Sequence, residues 1–148
     1  MRRAGLTIAL LAAMAAPAAA QNFPLGKPFK VISISGFDVQ RAWMTFTVVR
    51  DGARLRPSGN AGCNTWSATA ILRDGEIDLA EIVTTRKHCG GPRMKSEEAF
   101  LSSLRSTQRW CIDEKGRLIL EGDAARLLLA PGAPDPQKKS ALPVLRPS

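Results

Sequence analysis

Three cysteines and one histidine are the residues of this chain whose side chains could form a metal site or a reactive thiol. Cys63, Cys89 and Cys111 are far apart in sequence, whereas structural zinc ligands usually come in pairs about two to four residues apart. His88 is next to Cys89, but no second histidine is present. The spacing therefore argues against a Cys3His zinc site, and we expect no metal and no other cofactor.

A nucleophilic thiol at Cys89 is a second chemical possibility. Basic neighbours favour the thiolate form, and this cysteine is surrounded in sequence by Arg86, Lys87, Arg93 and Lys95. His88 could act as its base. Adjacent residues on a strand point to opposite faces, however, so His88 and Cys89 should not meet.

The carboxylates give no alternative acid–base pair. One set, Asp74, Glu76 and Asp78, lies on a turn and on the polar face of the strand after it. A second set, Asp113 and Glu114, lies at another turn. Each set is typical of a solvated surface. We therefore expect no enzymatic activity.

Composition predicts one small globular domain with a basic surface. The 148 residues include 21 Lys and Arg against 13 Asp and Glu, and 45% are apolar. This excludes a collagenous or wholly disordered chain, and the length allows one core. The basic cluster Arg86, Lys87, Arg93 and Lys95 predicts a cationic surface, for which a general role in solubility is the alternative.

The N-terminus predicts export. Two arginines follow Met1, residues 6–16 are apolar, and Ala18, Ala19 and Ala20 fit a small-x-small cleavage site. The apolar run ends at Pro17, which is too short to span a bilayer. We expect residues 1–20 to be a secretory signal peptide, and the mature chain to be periplasmic or secreted without a transmembrane segment. Disulfides persist in such a compartment.

The C-terminus predicts a Pro-rich, basic, disordered tail over residues 132–148, because neither helical nor alternating periodicity remains there. Its alternatives are a tether to an anionic surface and a plain solvated end. Residues 21–28 are expected to lead into a domain spanning residues 29–131.

That domain reads mainly as antiparallel strands. Residues 44–50 alternate before Asp51-Gly52, and residues 76–79 alternate after Asp74-Gly75. Further strands flank Lys115-Gly116 and end at residues 127–129. We expect Pro57 and Gly59 to stop the return strand early and residues 58–62 to form a bulge or corner.

One amphipathic helix is predicted over residues 96–106. Phe100, Leu101 and Leu104 have helical spacing, Ser96 could cap the start, and Glu97 and Glu98 would occupy the first turn. The fold class is therefore mainly β, with seven or eight antiparallel strands curled into a barrel-like sheet and one short helix.

Three motifs in order carry a family resemblance. They are GNAGCN at residues 59–64, TRKHC at 85–89 and EEAFLSSL at 97–104. The chain resembles the META-domain family, the HslJ-like heat-shock proteins, over about the whole mature domain. The matching motif and structural residues are Gly59, Gly62, Cys63, Asn64, Thr85, Cys89, Glu97, Phe100, Leu101 and Leu104.

The resemblance implies a small curled antiparallel barrel with one helix, usually exported, associated with envelope stress and without established catalytic activity. It also implies a disulfide between Cys63 and Cys89, which belong to paired motifs, and leaves Cys111 over. From the residues alone, all three pairings and three free thiols stay open. The chain departs from the family pattern at Ala68, Ala70, Lys87 and His88, which affects surface contacts near the corner.

Two function classes follow. The first is a monomeric envelope domain that binds a protein or an anionic envelope component, but not nucleic acid. The second is a small-molecule carrier that uses the open end of the barrel. Bulky residues such as Trp66, Trp110 and Leu118 could fill a small barrel, which favours the first class.

Overall fold

A computed structural model of the chain describes residues 21–39 and 43–132. The predicted signal peptide and residues 133–148 of the predicted tail lie outside this part. The elements in chain order are β1 Phe29–Ile34, β2 Phe37–Asp38, β3 Thr45–Asp51, β4 Arg54–Asn60, β5 Thr65–Arg73, β6 Glu76–Thr84, α1 Gly91–Ser106, β7 Thr107–Ile112, β8 Leu118–Gly122 and β9 Arg126–Pro131.

The strands form a closed antiparallel barrel. Each strand from β3 to β8 pairs with the next in sequence, and β1 pairs with both β3 and β9. Eight strands therefore close the barrel, while the two-residue β2 pairs only with the end of β1 among the described strands. The mainly β, barrel-like class with one helix is confirmed.

The barrel interior follows from residue alternation and three tight turns. Gly52, Gly75 and Gly116 adopt positive φ angles of 59°, 70° and 72° at the predicted turns. Alternate residues of the strands then point inward. The core side chains that are less than 2% exposed include Met44, Phe46, Val48, Leu118, Leu120, Leu127 and Leu129.

The early stop predicted for the strand after Arg54 is wrong. β4 continues to Asn60, and Pro57 lies within it, paired with Val48 of β3. Pro57 lacks an N–H group, and the pairs between β4 and β5 pass from Leu55↔Ala70 directly to Ser58↔Ser67. The missing donor thus coincides with a local gap in one ladder, and the corner lies after β4, at residues 61–64.

The predicted helix start is also wrong by five residues. α1 begins at Gly91 after an N-cap at Gly90, whose φ is 86°, and Pro92 lies in its first turn. Proline is tolerated there because the first N–H groups have no partner inside the helix. Ser96 is therefore not the cap, and its hydroxyl donates to the carbonyl of Pro92 at 3.1 Å. The first turn contains no acidic residue.

The helix crosses one opening of the barrel. It contacts β1, β6 and β8, and β1 and β6 lie on opposite sides of the eight-strand ring. Phe100 and Leu104 are fully buried, and Leu101 is 7% exposed. The ring of Phe100 meets that of Trp66 edge to face, with centroids 5.8 Å apart. The predicted apolar stripe is thus the face that seals the core.

The segment before β1 is attached to the barrel. The side chain of Gln21 exchanges two hydrogen bonds with the backbone of Ile112, at 2.9 and 3.0 Å. Phe23 packs edge to face on Trp110, with centroids 4.9 Å apart. The N–H of Gly26 donates to the carbonyl of Val48 at 2.7 Å.

Candidate functional site

The motif corner begins where β4 crosses closely over the start of β3. A Cβ atom at Gly59 would lie 2.1 Å from the carbonyl oxygen of Thr45, so no larger residue fits without backbone movement. The hydroxyl of Thr45 accepts the N–H of Asn60 at 2.8 Å. Gly62, with a φ of 109°, supplies the turn that a side chain would disfavour.

Asn64 connects three segments through its side-chain amide. Its Oδ1 accepts the hydroxyl of Thr85 at 2.8 Å and the N–H of Lys87 at 2.6 Å. Its Nδ2 donates to the carbonyl of Lys87 at 3.1 Å and to the carboxylate of Glu97 at 2.7 Å. Asn64 is 2% exposed, and both ends of its amide are saturated. The structural role predicted for it agrees with this geometry.

Glu97 is the residue whose role the sequence interpretation missed. It lies in the second turn of α1, is 5% exposed, and accepts from the N–H groups of Cys63 at 3.2 Å and Asn64 at 2.7 Å as well as from Nδ2 of Asn64. A signal was present: Glu97 precedes Phe100 and Leu101 by three and four positions, so it shares their inward face. Its carboxylate binds the corner to the helix.

A disulfide joins Cys63 to Cys89, with 5.8 Å between their Cα atoms. The pairing that the resemblance implied is confirmed. Since these two sulfurs are bonded to each other, Cys89 is not a thiolate in this state, and the Cys3His zinc alternative lacks two of its ligands. Cys111 is a free, exposed thiol on the outer face of β7.

The cationic residues predicted around Cys89 all lie on the surface. We call residues 85–95 the basic segment; it contains no acidic residue. Its exposed basic side chains are Arg86, Lys87, Arg93 and Lys95. None of these four takes part in an ion pair within the described part of the chain, where the four ion pairs involve other arginines.

The backbone of the basic segment is fixed by hydrogen bonds and a disulfide, while its four cationic side chains have no ion pair among the described residues. Asn64 bonds both the N–H and the carbonyl of Lys87, and the disulfide fixes Cys89 two residues later. The helix then starts at Gly91 and carries Arg93 and Lys95 in its first turns. The buried polar groups of the corner are hydrogen-bonded to one another. The groups that remain available to a partner at this site are therefore the positively charged side chains.

Within residues 21–39 and 43–132, α1 is neither long nor apolar enough to cross a membrane.

Comparisons with known proteins agree with this architecture. The META domain family model matches residues 21–133. No curated protein matches the chain. An NMR structure of a protein from Burkholderia xenovorans is 19% identical, with a TM-score of 0.61, and the match covers 81% of this chain and 99% of that one. A second NMR structure is 20% identical, with a TM-score of 0.54 over 70% and 86% of the two chains.

At 19% and 20% identity, the two solved structures support the fold alone. The family model covers most of the sequence and includes all three motifs. The disulfide corner, the segment after β6 and the inward face of α1 are the places where those motifs meet. The chain therefore belongs to the META domain family.

Proposed function

We propose that the chain is an exported, non-enzymatic, stress-associated envelope domain whose basic segment binds an anionic envelope component or an acidic protein. The observation that carries this proposal is the set of four exposed cations on a backbone fixed by Asn64 and by the Cys63–Cys89 disulfide. A partner would not have to order this backbone, which removes part of the entropic cost of association.

The absence of ion pairs at the four cations of the basic segment, among the described residues, also supports binding of an anionic partner. An ion pair within the protein would have to be broken before a cation could bind a new anion, and the four side chains of the basic segment have no such pair among the described residues. Near an anionic lipid surface, each Lys or Arg contributes about 1 kcal/mol. Four together are enough for measurable, salt-sensitive binding.

The proposal of a non-enzymatic role rests on the state of the candidate groups. The thiol considered as a nucleophile is bonded to Cys63. The corner carboxylate of Glu97 is occupied by three hydrogen bonds that link structural elements. A catalytic group needs access to a substrate, whereas the sulfur of Cys89 and the carboxylate of Glu97 are both bonded to other parts of the fold.

The carrier alternative receives less support. The barrel interior is filled by side chains such as Phe46, Leu118 and Leu129, and Phe100 of the helix packs into the same core. A carrier of this type needs a lumen larger than its own side chains occupy.

Export is supported by the disulfide, because such bonds persist in oxidising compartments. Mass spectrometry of the protein recovered from the periplasm should find Gln21 as the first residue. Recovery of chains that retain Met1 or Arg2 would contradict export. Stress association rests on the resemblance to the heat-shock members of the family, and quantitative mass spectrometry before and after heat shock would test it.

Binding is tested with vesicles of anionic and zwitterionic lipid and with lipopolysaccharide. A variant with glutamine at Arg86, Lys87, Arg93 and Lys95 should lose most binding to the anionic surfaces. The matched control carries glutamine at Arg50, Arg54, Arg73 and Lys115, which are also exposed and without an ion pair among the described residues. It removes the same formal charge and should keep most binding.

Equal losses in both variants would show that net charge, and not the basic segment, determines binding. If neither anionic surface binds, crosslinking in an envelope extract would reveal an acidic protein captured by the original chain but not by the first variant. Capture of no partner in any of these experiments would contradict the proposal.

A further inference from the structure

A groove lies on the outside of the barrel, across β1, β9 and β8. Its volume is ≈ 440 Å³. Ile119 and Leu128 form its floor and are directly paired across β8 and β9. Ser33 of β1, which pairs with Leu128, lines one side, and Arg117 and Arg126 also line the groove.

The floor of this outer groove is apolar where an outward-facing surface would usually be polar. Leu118 and Leu120 are fully buried in the barrel, so Ile119 between them points outward. Ile119 lines the groove and is 7% exposed. Leu128 is half-buried beside it. These two are the apolar side chains of the groove, and its other lining residues are Ser33, Gly36, Asp113, Arg117 and Arg126. A small-molecule site likewise combines apolar side chains with a few placed polar groups.

The two ends of the outer groove differ in charge. At one end Arg117 is paired with Asp113 at 2.7 Å, which balances both charges. At the other end Arg126 and Arg109 share the single carboxylate of Glu121, at 3.2 and 3.8 Å. The two guanidinium groups and the one carboxylate together carry a net positive charge. Arg126 contacts Glu121 through its Nε atom.

From this arrangement we propose that the outer groove binds a small amphipathic anion, with a carboxylate or phosphate at Arg126 and a short hydrocarbon chain over Leu128 and Ile119. A guanidinium group forms charge-assisted hydrogen bonds with either anion. The apolar floor buries the chain. The volume lies within the range of about 300–1,000 Å³ typical of ligand pockets, at its lower end.

This site is separate from the basic segment and does not depend on it. The groove residues belong to β1, β8, β9 and the turns after β1 and β7, whereas the basic segment joins β6 to α1. The groove also lies outside the filled barrel, so it differs from a carrier site at the barrel opening.

The test uses the mature chain, residues 21–148, labelled with ¹⁵N and titrated with octanoate, octyl phosphate and neutral octyl glucoside. Saturable amide shifts at Ser33, Ile119 and Leu128 are expected with the two anions, and much weaker ones with the glucoside. Comparing the two anions distinguishes a fatty-acid type of ligand from a phosphate headgroup. Arg126→Gln should raise the dissociation constant about tenfold. Arg54→Gln, at an exposed position of β4 outside both the outer groove and the basic segment, should leave it unchanged.

Two substitutions of opposite charge at Ser33 distinguish an effect on binding from an effect on folding. Ser33→Glu should weaken binding of octanoate and octyl phosphate, and Ser33→Lys should strengthen it, because the side chain at this position borders the groove. A folding defect would act in the same direction in both variants. Shifts outside the groove, equal binding of the glucoside, or the same effect from both Ser33 variants would overturn the proposal.

Discussion

The carboxylate of Glu97 and the side-chain amide of Asn64 are hydrogen-bonded at 2.7 Å across 33 positions of sequence. Glu97 also accepts the backbone N–H of Asn64 at 2.7 Å, so one buried residue of the helix binds both the backbone and the side chain of the corner. Asn64 in turn bonds the backbone of Lys87. The position of the basic segment therefore depends on a carboxylate that belongs to the helix.

Removing the Glu97 carboxylate should strongly destabilise the protein. Glu97→Ala leaves three donors at the corner without their acceptor, and a buried unsatisfied group costs about 1–3 kcal/mol. We expect a loss of about 3 kcal/mol in the free energy of unfolding, measured by chemical denaturation. Glu98→Ala is the matched control, because Glu98 is exposed one position later. A loss no larger than the control's would mean that water replaces the carboxylate.

Phe100 should contribute more to stability than any exposed residue of α1. It is fully buried against Trp66, and replacing a buried Phe by Ala typically costs about 3–5 kcal/mol. Ser102→Ala, at an exposed position of the same helix, should cost less than about 0.5 kcal/mol. Denaturation of both variants measures the difference. Small, equal losses would show a loosely held helix and would favour the carrier alternative.

The disulfide should stabilise the protein, whereas the free thiol should not. A closed loop of this length is worth about 3.5 kcal/mol in the chain-entropy model, so Cys89→Ser should lower the free energy of unfolding by roughly that amount. Cys111→Ser changes an exposed thiol and should have little effect. Non-reducing peptide mapping should recover Cys63 linked to Cys89. A linked peptide that contains Cys111 would contradict this assignment.

Two glycines should respond in opposite ways to the same substitution. At Gly59 an added methyl group would lie 2.1 Å from the carbonyl oxygen of Thr45, and overpacking typically costs about 1–3 kcal/mol. At Gly91 nothing lies within 4 Å of the position that the methyl group would take. Gly91→Ala should therefore be neutral or stabilising by up to about 1 kcal/mol, because it restricts the unfolded chain. Thermal unfolding of both variants compares them directly.

Asp113 should titrate below its ordinary range. The backbone N–H of Arg117 is the main cause that lowers the pKa of this carboxyl from 3.8, and the Arg117 side chain and the N–H of Lys115 add to it. A lowered carboxyl pKa stabilises the folded state above pH 3.8, and this contribution is lost as the pH falls toward the folded value. NMR titration of the carboxyl carbon measures the midpoint.

Two variants separate the causes of that shift. Arg117→Gln keeps the backbone N–H, so the Asp113 pKa should rise only part of the way toward 3.8. Asp113→Asn lacks this contribution at every pH, so the variant should be less stable than the original protein above pH 3.8, and the difference between the two should shrink as the pH falls below 3.8. A full return to 3.8 in Arg117→Gln would show that the side-chain ion pair dominates.

Local features of the fold could be predicted from the sequence because short-range sterics decide them. The turns at Gly52, Gly75 and Gly116 need positive φ angles, which glycine adopts without a steric penalty. The apolar spacing of Phe100 and Leu104 likewise defines one helix face wherever the helix begins. The family motifs added the Cys63–Cys89 pairing, which the residues alone left open.

Features that depend on distant partners required the tertiary structure. Pro57 reads as a strand breaker, yet β3 continues to pair with β4 around it, and only the ladder to β5 is interrupted. Ser96 and Glu97 read as a helix start, yet Gly90 and Pro92 allow the helix to begin earlier. Glu97 consequently lies in the second turn of the helix and not in the first, and its side chain is buried. Its partner Asn64 is 33 positions away, and the packing of α1 against the barrel brings the two together. Local propensity carries no information about such a contact.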